Sequence, residues 1–329
     1  MVIKGILVTL LAPFEDHIAN CGEKIFGNAS SIKRRPDGKV YVSGQMQRHV
    51  LFSAISRLNE VDPDKGETFV SNGDGVTDKV DIDLRADMGG FMITQRNHYS
   101  GRRTAPLSVT PAIALEESSV GRDLLIRLKA DPNAESKEQA LATREYSQSD
   151  VMRMNFFLDI TELSTSKYPK YEGGFNISTV YYKHASEKER KRRAMLFLKA
   201  TGMMNDYANQ ARNAVCGEPR QVLIVFDPEL SRKATRYFEV GEQERENILA
   251  ELKDRGAIYF LGDDTTKESV SKAYKDALEY LAQNDLFTFV SDDNEVRAYE
   301  DVFHISDAKE EKSKKENKAS ENKEEPSLF

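Results

Sequence analysis

Residues 40–58 constrain the fold of this chain most, because a short β-type run passes directly into an amphipathic helical pattern there. Ser43 follows the run and is a favourable N-cap. At about 100° per residue, the apolar side chains that follow share one face, which we expect to be the core face of a helix. These side chains are Met46, Val50, Leu51, Ala54, Ile55 and Leu58.

The opposite face of this helix begins with polar groups next to the N-terminus. Gly44 would let another backbone approach closely. The amide groups and positive dipole of a helix N-terminus favour the binding of a phosphate, and Arg48 would add a planar, charged guanidinium group. An ordinary solvated face explains the same pattern, and this stretch alone favours that explanation. The face comprises Gln45, Arg48, His49, Phe52 and Ser56, while Gln47 falls among the apolar residues.

Composition restricts the class of protein. The 329 residues could form one large domain or two modest ones. Two cysteines provide no disulfide framework, and no apolar run is long enough to cross a bilayer, so we expect a cytoplasmic protein. The net charge of −7 argues against nucleic acid, but the distribution of charge matters more. Residues 88–115 contain no acidic residue, yet they carry Arg96, Arg102 and Arg103.

The order of predicted elements indicates an α+β fold. Residues 2–11 form a strand buried on both faces, and strands are also predicted at 91–94, 106–115, 151–160 and 221–226. Helices are predicted at 186–213, 241–254 and 267–283, whereas 95–103 is a basic loop and 130–150 a projecting polar segment. Without the polar excursions, the first part fits a β-α-β-β-α-β ferredoxin-like (RRM-like) core. We therefore predict one such domain over 1–306, with insertions at about 60–90 and 116–150 and a C-terminal α/β extension, and a disordered charged tail over 307–329.

Signatures of common enzymes are missing from the sequence. There is no P-loop and no Gly-x-Ser-x-Gly elbow. His17 and Cys21 have helical spacing for a metal, but further ligands are not close in sequence. We predict no catalytic residue, metal ligand or cofactor.

Three motifs in order resemble those of a known family. Residues 41–49 are similar to its Ser-x-Gln-x-x-Lys/Arg helix start, and 103–111 to its Arg-Thr-Ser-Pro-Leu-x-Val-Ser-Pro motif. Residues 213–221 are similar to the run that leads into its last core strand. The chain thus resembles the backbone subunit of type I CRISPR Cascade complexes, the seventh Cas family, in the DevR-like branch of I-A or I-B type.

This resemblance implies a modified ferredoxin-like palm with inserted fingers and a thumb. Copies would stack as a helical oligomer on CRISPR RNA (crRNA), the thumb of one wedging the RNA held by the next. The implied partners are crRNA, target DNA through an R-loop, other copies of the chain and other Cascade subunits, without a membrane. Ser43, Gln45 and Arg48 would contact the RNA backbone, while Phe52 departs from a position that is often basic. The full expected RNA-binding set is Asn28, Lys33, Arg34, Arg35, Ser43, Gly44, Gln45, Arg48, His49, Arg96, Arg102, Arg103, Arg212 and Arg220.

Two other functions stay open beside this non-catalytic role in CRISPR antiviral defence. Related type III backbone subunits cut RNA with an aspartate in the loop before the same helix. The corresponding alternative is a metal-dependent RNase that uses Asp16 or Asp37. The other alternative is a cytoplasmic scaffold that binds no nucleic acid.

Overall fold

The chain divides into two compact units in the computed structural model, which describes residues 2–25, 29–73, 77–95, 99–128 and 139–303. The first unit takes the described residues of Met1–Asp62, Leu107–Ile160 and Lys191–Phe287. The second takes those of Pro63–Pro106, Thr161–Arg190 and Thr288–Phe329. The predicted tail over 307–329 lies outside the described residues. Within the described ranges, no helix combines the length and apolar character needed to span a membrane.

Strands and helices are numbered in chain order. The strands are β1 (Gly5–His17), β2 (Glu23–Lys24), β3 (Ala29–Ser31), β4 (Tyr41–Val42), β5 (Phe91–Gln95), β6 (Tyr99–Arg103), β7 (Leu107–Val109), β8 (Ala112–Ala114), β9 (Val120–Leu128), β10 (Gln139–Asp159), β11 (Thr165–Glu172), β12 (Phe175–Lys183), β13 (Gln221–Asp227) and β14 (Ile258–Asp263). The α-helices are α1 (Gly44–Glu60), α2 (Leu84–Gly89), α3 (Glu187–Thr201), α4 (Glu242–Asp254), α5 (Val270–Gln283) and α6 (Tyr299–Val302), and short 3-10 helices lie at Lys233–Arg236 and Asp293–Glu295.

Strand β1 lies in the middle of the main sheet of the first unit. It pairs antiparallel with β10 on one side and with β13 on the other, and β14 continues the sheet beyond β13. Strand β10 also pairs antiparallel with β7, β8 and β9. The eight residues at the start of β1 are all buried, as the apolar run predicted. Leu7 and Leu11 pack with Phe157 and Val225, and Leu252 of α4 belongs to the same cluster.

The second unit contains two separate hairpins. Strands β5 and β6 form one, and β11 and β12 form the other. A small core formed by Val80, Ala86, Phe91 and Tyr299 supports the first hairpin. The two-residue turn of the second hairpin consists of Gly173 and Gly174, at φ 59° and 85°. Positive φ at both positions is what a type I′ turn requires, and glycine adopts it without strain.

Several sequence predictions are confirmed by these elements. The α+β class is correct, Ser43 is the N-cap of α1, and the strand predicted at 106–115 breaks at Pro111 into β7 and β8. Proline lacks the amide hydrogen that an unbroken ladder needs there. The predictions of 221–226, 241–254 and 267–283 correspond to β13, α4 and α5.

Other predictions were wrong. Residues 139–150 belong to β10 and pair with β9, β1 and β3, because cross-strand partners compensate for their polarity. The helix predicted over 186–213 ends at Thr201. Residues 95–103 lie largely in the β5–β6 hairpin rather than in a loop. Phe52, expected on the polar face of α1, is fully buried, so the buried arc of that helix is wider than the apolar pattern indicated.

Candidate nucleic-acid interface

The N-terminus of α1 has the features of an anion site. Ser43 Oγ accepts a hydrogen bond from the amide of Met46 at 3.2 Å, and the first turn carries no acidic residue. A Cβ on Gly44 would lie 3.2 Å from the carbonyl oxygen of Val109, so glycine allows the β7–β8 connection to pack closely. The capped first turn therefore leaves a positive helix end without a competing carboxylate of its own.

The polar face of α1 contains most of the residues that the sequence placed there. Gln45 and His49 are exposed, and Arg48 is half-buried with its guanidinium 5.6 Å from the ring centre of Phe52. Burial lowers the pKa of Arg48, but an arginine side chain remains charged at neutral pH. Phe52 thus supports Arg48 instead of offering a contact of its own, since a cation over an aromatic face is attracted to the ring. Gln47 is buried and accepts a hydrogen bond from Tyr207 Oη at 3.1 Å.

A basic turn precedes α1, and we use this name for residues 33–39. The amide of Arg35 donates to the carbonyl of Lys39 at 2.9 Å, and Arg34 and Val40 form an antiparallel bridge. Arg34 and Arg35 are exposed, whereas Lys33 is half-buried. Arg35 Nε lies 3.8 Å from Asp37 Oδ1, with both side chains nearly half exposed.

The buried side-chain amide of Asn20 connects the basic turn to the start of α1. Asn20 Nδ2 donates to the carbonyl of Lys33 at 2.9 Å and to the carbonyl of Tyr41 at 3.0 Å. Because Tyr41 is two residues before the N-cap, the turn and the positive helix end belong to one continuous surface segment. Sequence reasoning gave Asn20 no role.

A second buried group of polar side chains lies beneath the same segment. His17 Nε2 and Asp150 Oδ2 are 2.6 Å apart, and Ser118 Oγ donates to Asp150 Oδ1 at 2.5 Å. The amide of Val40 donates to Ser118 Oγ at 3.0 Å. Burial opposes ionisation of Asp150, but hydrogen bonds from His17, Ser118 and Ser147 outweigh it and lower the pKa of this carboxyl group. We call Ser118, Asp150 and His17 the Ser118 relay.

The segment after α3 contributes the two remaining predicted cations of the first unit, Arg212 and Arg220. Both are exposed. Asn213 Nδ2 donates to the carbonyl of Asp16 at 2.7 Å, which ties this segment to the end of β1. The amide of Arg220 donates to the carbonyl of Leu11 at 2.8 Å. Gly217 is needed here, because a Cβ would lie 2.2 Å from the carbonyl oxygen of Met204.

Arg102 and Arg103 lie in the second unit and have different environments. Arg102 is exposed and borders a cavity of about 270 Å³ that Lys167 and Phe303 also line. Arg103, which the sequence placed in the expected RNA-binding set, is instead buried. Its guanidinium donates to Asp87 Oδ1, to the carbonyls of Glu162 and Thr165, and to Ser166 Oγ. Asn28 and Arg96 lie outside the described residues.

The carboxylates of the RNase alternative are spread over the surface of the first unit. Asp16 is exposed and adopts φ 44° at the end of β1, and Asp37 faces Arg35 in the basic turn. In the described part of the chain, no group of three or more His, Cys, Asp or Glu residues could hold a metal ion. His17, the candidate ligand paired with Cys21 in the sequence, is engaged with Asp150.

Comparison with known proteins gives a family match and matches to solved structures. The family described as "CRISPR-associated negative auto-regulator DevR/Csa2" matches residues 23–213. One similar solved structure is described as "CRISPR RNA-guided surveillance complex", with TM-score 0.50 and 13% identity, covering 86% of this chain and 94% of that one. Another, "CRISPR RNA-guided surveillance complex, pre-nicking", has TM-score 0.52 and 12% identity, covering 84% and 99%. At these identities the two likenesses concern the fold. No curated protein matches the chain.

Proposed function

Since the chain belongs to the CRISPR-associated DevR/Csa2 family, we propose that it is a non-catalytic backbone subunit of a Cascade surveillance complex. In this role it binds crRNA, oligomerises along the spacer as a helical filament and presents the bases for pairing with target DNA. Its partners are crRNA, target DNA in the R-loop, further copies of the chain and other Cascade subunits in the cytoplasm. Such binding needs phosphate contacts that do not read sequence, so that the bases remain free.

The observation that carries this proposal is the continuity of the basic turn with the N-terminus of α1. Asn20 bonds both ends of the intervening segment, so Arg34 and Arg35 share one surface segment with Ser43 and the first turn of the helix. Arg48 lies one turn further along α1. Arginine forks and helix amides both bind phosphate oxygens independently of the base. The acidic net charge of the chain does not oppose this, because the basic groups are concentrated locally.

The strand order supports a ferredoxin-like palm as the basis of this role. Taking β1, β7, β10 and β13 as the four core strands, with α1 and α3 as the two helices, the chain runs β-α-β-β-α-β. The spatial order β13–β1–β10–β7 is antiparallel throughout and equals 4-1-3-2 of a ferredoxin-like sheet. The two similar solved structures share their overall fold with this chain.

We assign the β11–β12 hairpin as the thumb. Its tip is the Gly173–Gly174 turn, and the adjoining Phe175 and Ile177 are 77% and 58% exposed. Exposed apolar side chains beside a hairpin tip suit insertion against nucleic-acid bases or a neighbouring copy.

RNA binding by the purified protein tests this function directly. We expect single-stranded RNAs of equal length and unrelated sequence to bind alike in fluorescence anisotropy, with affinity falling as salt rises. RNA that co-purifies with the protein should carry repeat-derived ends when it is sequenced from a host that expresses a CRISPR array. Absence of binding to every RNA at low salt would contradict the proposal and favour the scaffold alternative.

A further inference from the structure

Two independent sets of buried groups hold the basic turn, and neither belongs to the exposed interface. The first is Asn20, whose side chain bonds the carbonyls of Lys33 and Tyr41 with one amide nitrogen. Its Oδ1 accepts from the amide of Gly22 at 3.0 Å, which fixes the orientation of the amide group. Asn20 is 5% exposed, so it acts from beneath the turn.

The second set is the Ser118 relay. Ser118 Oγ accepts from the amide of Val40 and donates to Asp150, whose other oxygen meets His17 Nε2. The side chains of His17 and Asp150 are 0% and 2% exposed. The amide of Ala19 lies 3.4 Å from His17 Nδ1, which leaves Nε2 as the nitrogen that donates to Asp150. His17 therefore restrains Asp150, Asp150 restrains Ser118, and Ser118 restrains the backbone amide of Val40.

We propose that Asn20 and Ser118 are positioning residues that set the geometry of the basic turn for the RNA backbone. This inference rests on the proposed function. The groups that they hold are backbone atoms of Lys33, Val40 and Tyr41, on both sides of Arg34 and Arg35. An arginine guanidinium binds phosphate oxygens only in a defined geometry. A turn that loses these bonds therefore keeps its charge but no longer places the two guanidinium groups correctly for the phosphates.

Removal of either bond should weaken RNA binding more than it weakens the fold. We expect Asn20→Ala and Ser118→Ala each to lower RNA affinity about tenfold, as for the removal of one charge-assisted hydrogen bond. The slope of log affinity against log salt should also fall, by about 0.7 for each phosphate that the turn no longer binds. The control is Thr201→Val, which removes the hydroxyl of a fully buried residue; its partners, the carbonyl of Leu198 and Tyr274 Oη, do not belong to the basic turn. This control should lower the melting temperature without changing affinity or salt slope.

A double-mutant cycle separates positioning from general stability. In a background that carries Arg34→Ala and Arg35→Ala, the Asn20→Ala change should have almost no further effect on affinity, because the groups that it positions are gone. A purely structural role predicts the same loss in both backgrounds. Equal losses, or an affinity in Asn20→Ala and Ser118→Ala that matches Thr201→Val, would overturn the inference.

If the variants do not fold, hydrogen exchange on the unaltered protein tests whether RNA contacts the basic turn, as the inference requires. Binding of a single-stranded RNA should slow amide exchange across residues 33–41, and unchanged exchange there would overturn the inference. Failure of the parent protein to bind RNA would instead overturn the proposed function, so the two failures are distinguishable.

Discussion

Arg103 Nη2 lies 2.7 Å from Asp87 Oδ1, and the two side chains are 5% and 0% exposed. Asp87 also accepts hydrogen bonds from the amide and the hydroxyl of Ser164, at 2.8 and 2.6 Å. A buried ion pair with further hydrogen bonds is costly to break from one side, because the remaining charge stays buried. This pair therefore connects the β5–β6 hairpin with the start of β11 inside the second unit.

Removal of Arg103 should destabilise the second unit strongly. We expect Arg103→Ala to lower the free energy of unfolding by about 3–5 kcal/mol, the usual cost of leaving one buried charge without its partner. Urea unfolding followed by circular dichroism measures the change. The control is Arg102→Ala, one residue earlier and exposed, which should stay within about 0.5 kcal/mol of the parent. Equal small effects would show that the buried pair contributes little.

Arg103 also illustrates what the sequence could not reveal. The lack of acidic residues over 88–115 suggested a basic surface, but the partner of Arg103 is Asp87, immediately before that span. His17 and Asp150 are 133 positions apart, so only the register of β1 and β10 brings them together. Residues in contact through tertiary pairing leave no local signal in a single sequence.

Local patterns, in contrast, were sufficient where one element determines its own structure. Ser43 could be predicted as the N-cap because a serine hydroxyl needs only an amide of the same turn as its partner, and Ser43 Oγ indeed accepts from the amide of Met46. The apolar run at the start of β1 predicted burial on both faces. Phe52 was misplaced because helical periodicity does not report a second packing surface beside the first. The β11–β12 hairpin went unpredicted, and its partly exposed strands lack a regular apolar pattern.

Arg48 should contribute to RNA affinity with little effect on stability. We expect Arg48→Ala to weaken RNA binding and to lower the salt slope by about 0.7, the value for one phosphate that is no longer bound. The contact with Phe52 contributes about 0.5–1 kcal/mol to the free energy of unfolding. Arg57→Ala is the matched control, because Arg57 lies exposed in the last turn of the same helix. Affinity measured by anisotropy at several salt concentrations should change for Arg48 alone, and an unchanged slope would exclude Arg48 from the interface.

The stabilising effect of Asp150 should depend on pH. Its folded-state pKa is lowered, so it lies below the unfolded value of about 3.9. The stability contributed by the ionised form is thus fully present above that value and is lost as the pH falls through the folded pKa. We expect Asp150→Asn to reduce the free energy of unfolding more at about pH 7 than at about pH 3. Asp37→Asn, at an exposed position, provides the control in denaturant unfolding at both pH values. An equal loss for Asp150→Asn at both would show that its ionisation is not coupled to folding.

The protein should have no nuclease activity of its own. We expect no Mg²⁺-dependent cleavage of crRNA-paired RNA, and no change of RNA binding in Asp16→Ala, tested by gel electrophoresis and anisotropy. Asp37→Ala should show no cleavage either; because it also removes the acceptor of the Lys39 amide in the basic turn, only its cleavage is scored. Cleavage that one of these changes abolishes would make the RNase alternative the better description.

Phe175 should matter for assembly but not for folding. The side chain is 77% exposed beside the Gly173–Gly174 turn, so Phe175→Ser removes little packing and the melting temperature should stay near that of the parent. If the hairpin acts on RNA held by a neighbouring copy, the loss should become visible only when several copies share one strand. We therefore expect unchanged affinity for an RNA that accommodates one copy, and smaller particles on an RNA that accommodates many.

Light scattering on the long RNA, at two salt concentrations, measures this difference. The control is Met92→Ser, which removes another exposed apolar side chain of the second unit, 71% exposed on β5 rather than on the β11–β12 hairpin. Parent and control should form particles of the same size, and Phe175→Ser should form smaller ones at both salt concentrations, since an apolar contact is not screened by ions. Parent-sized particles with Phe175→Ser would show that the β11–β12 hairpin does not use this residue in assembly, and the thumb would then have to be sought elsewhere in the chain.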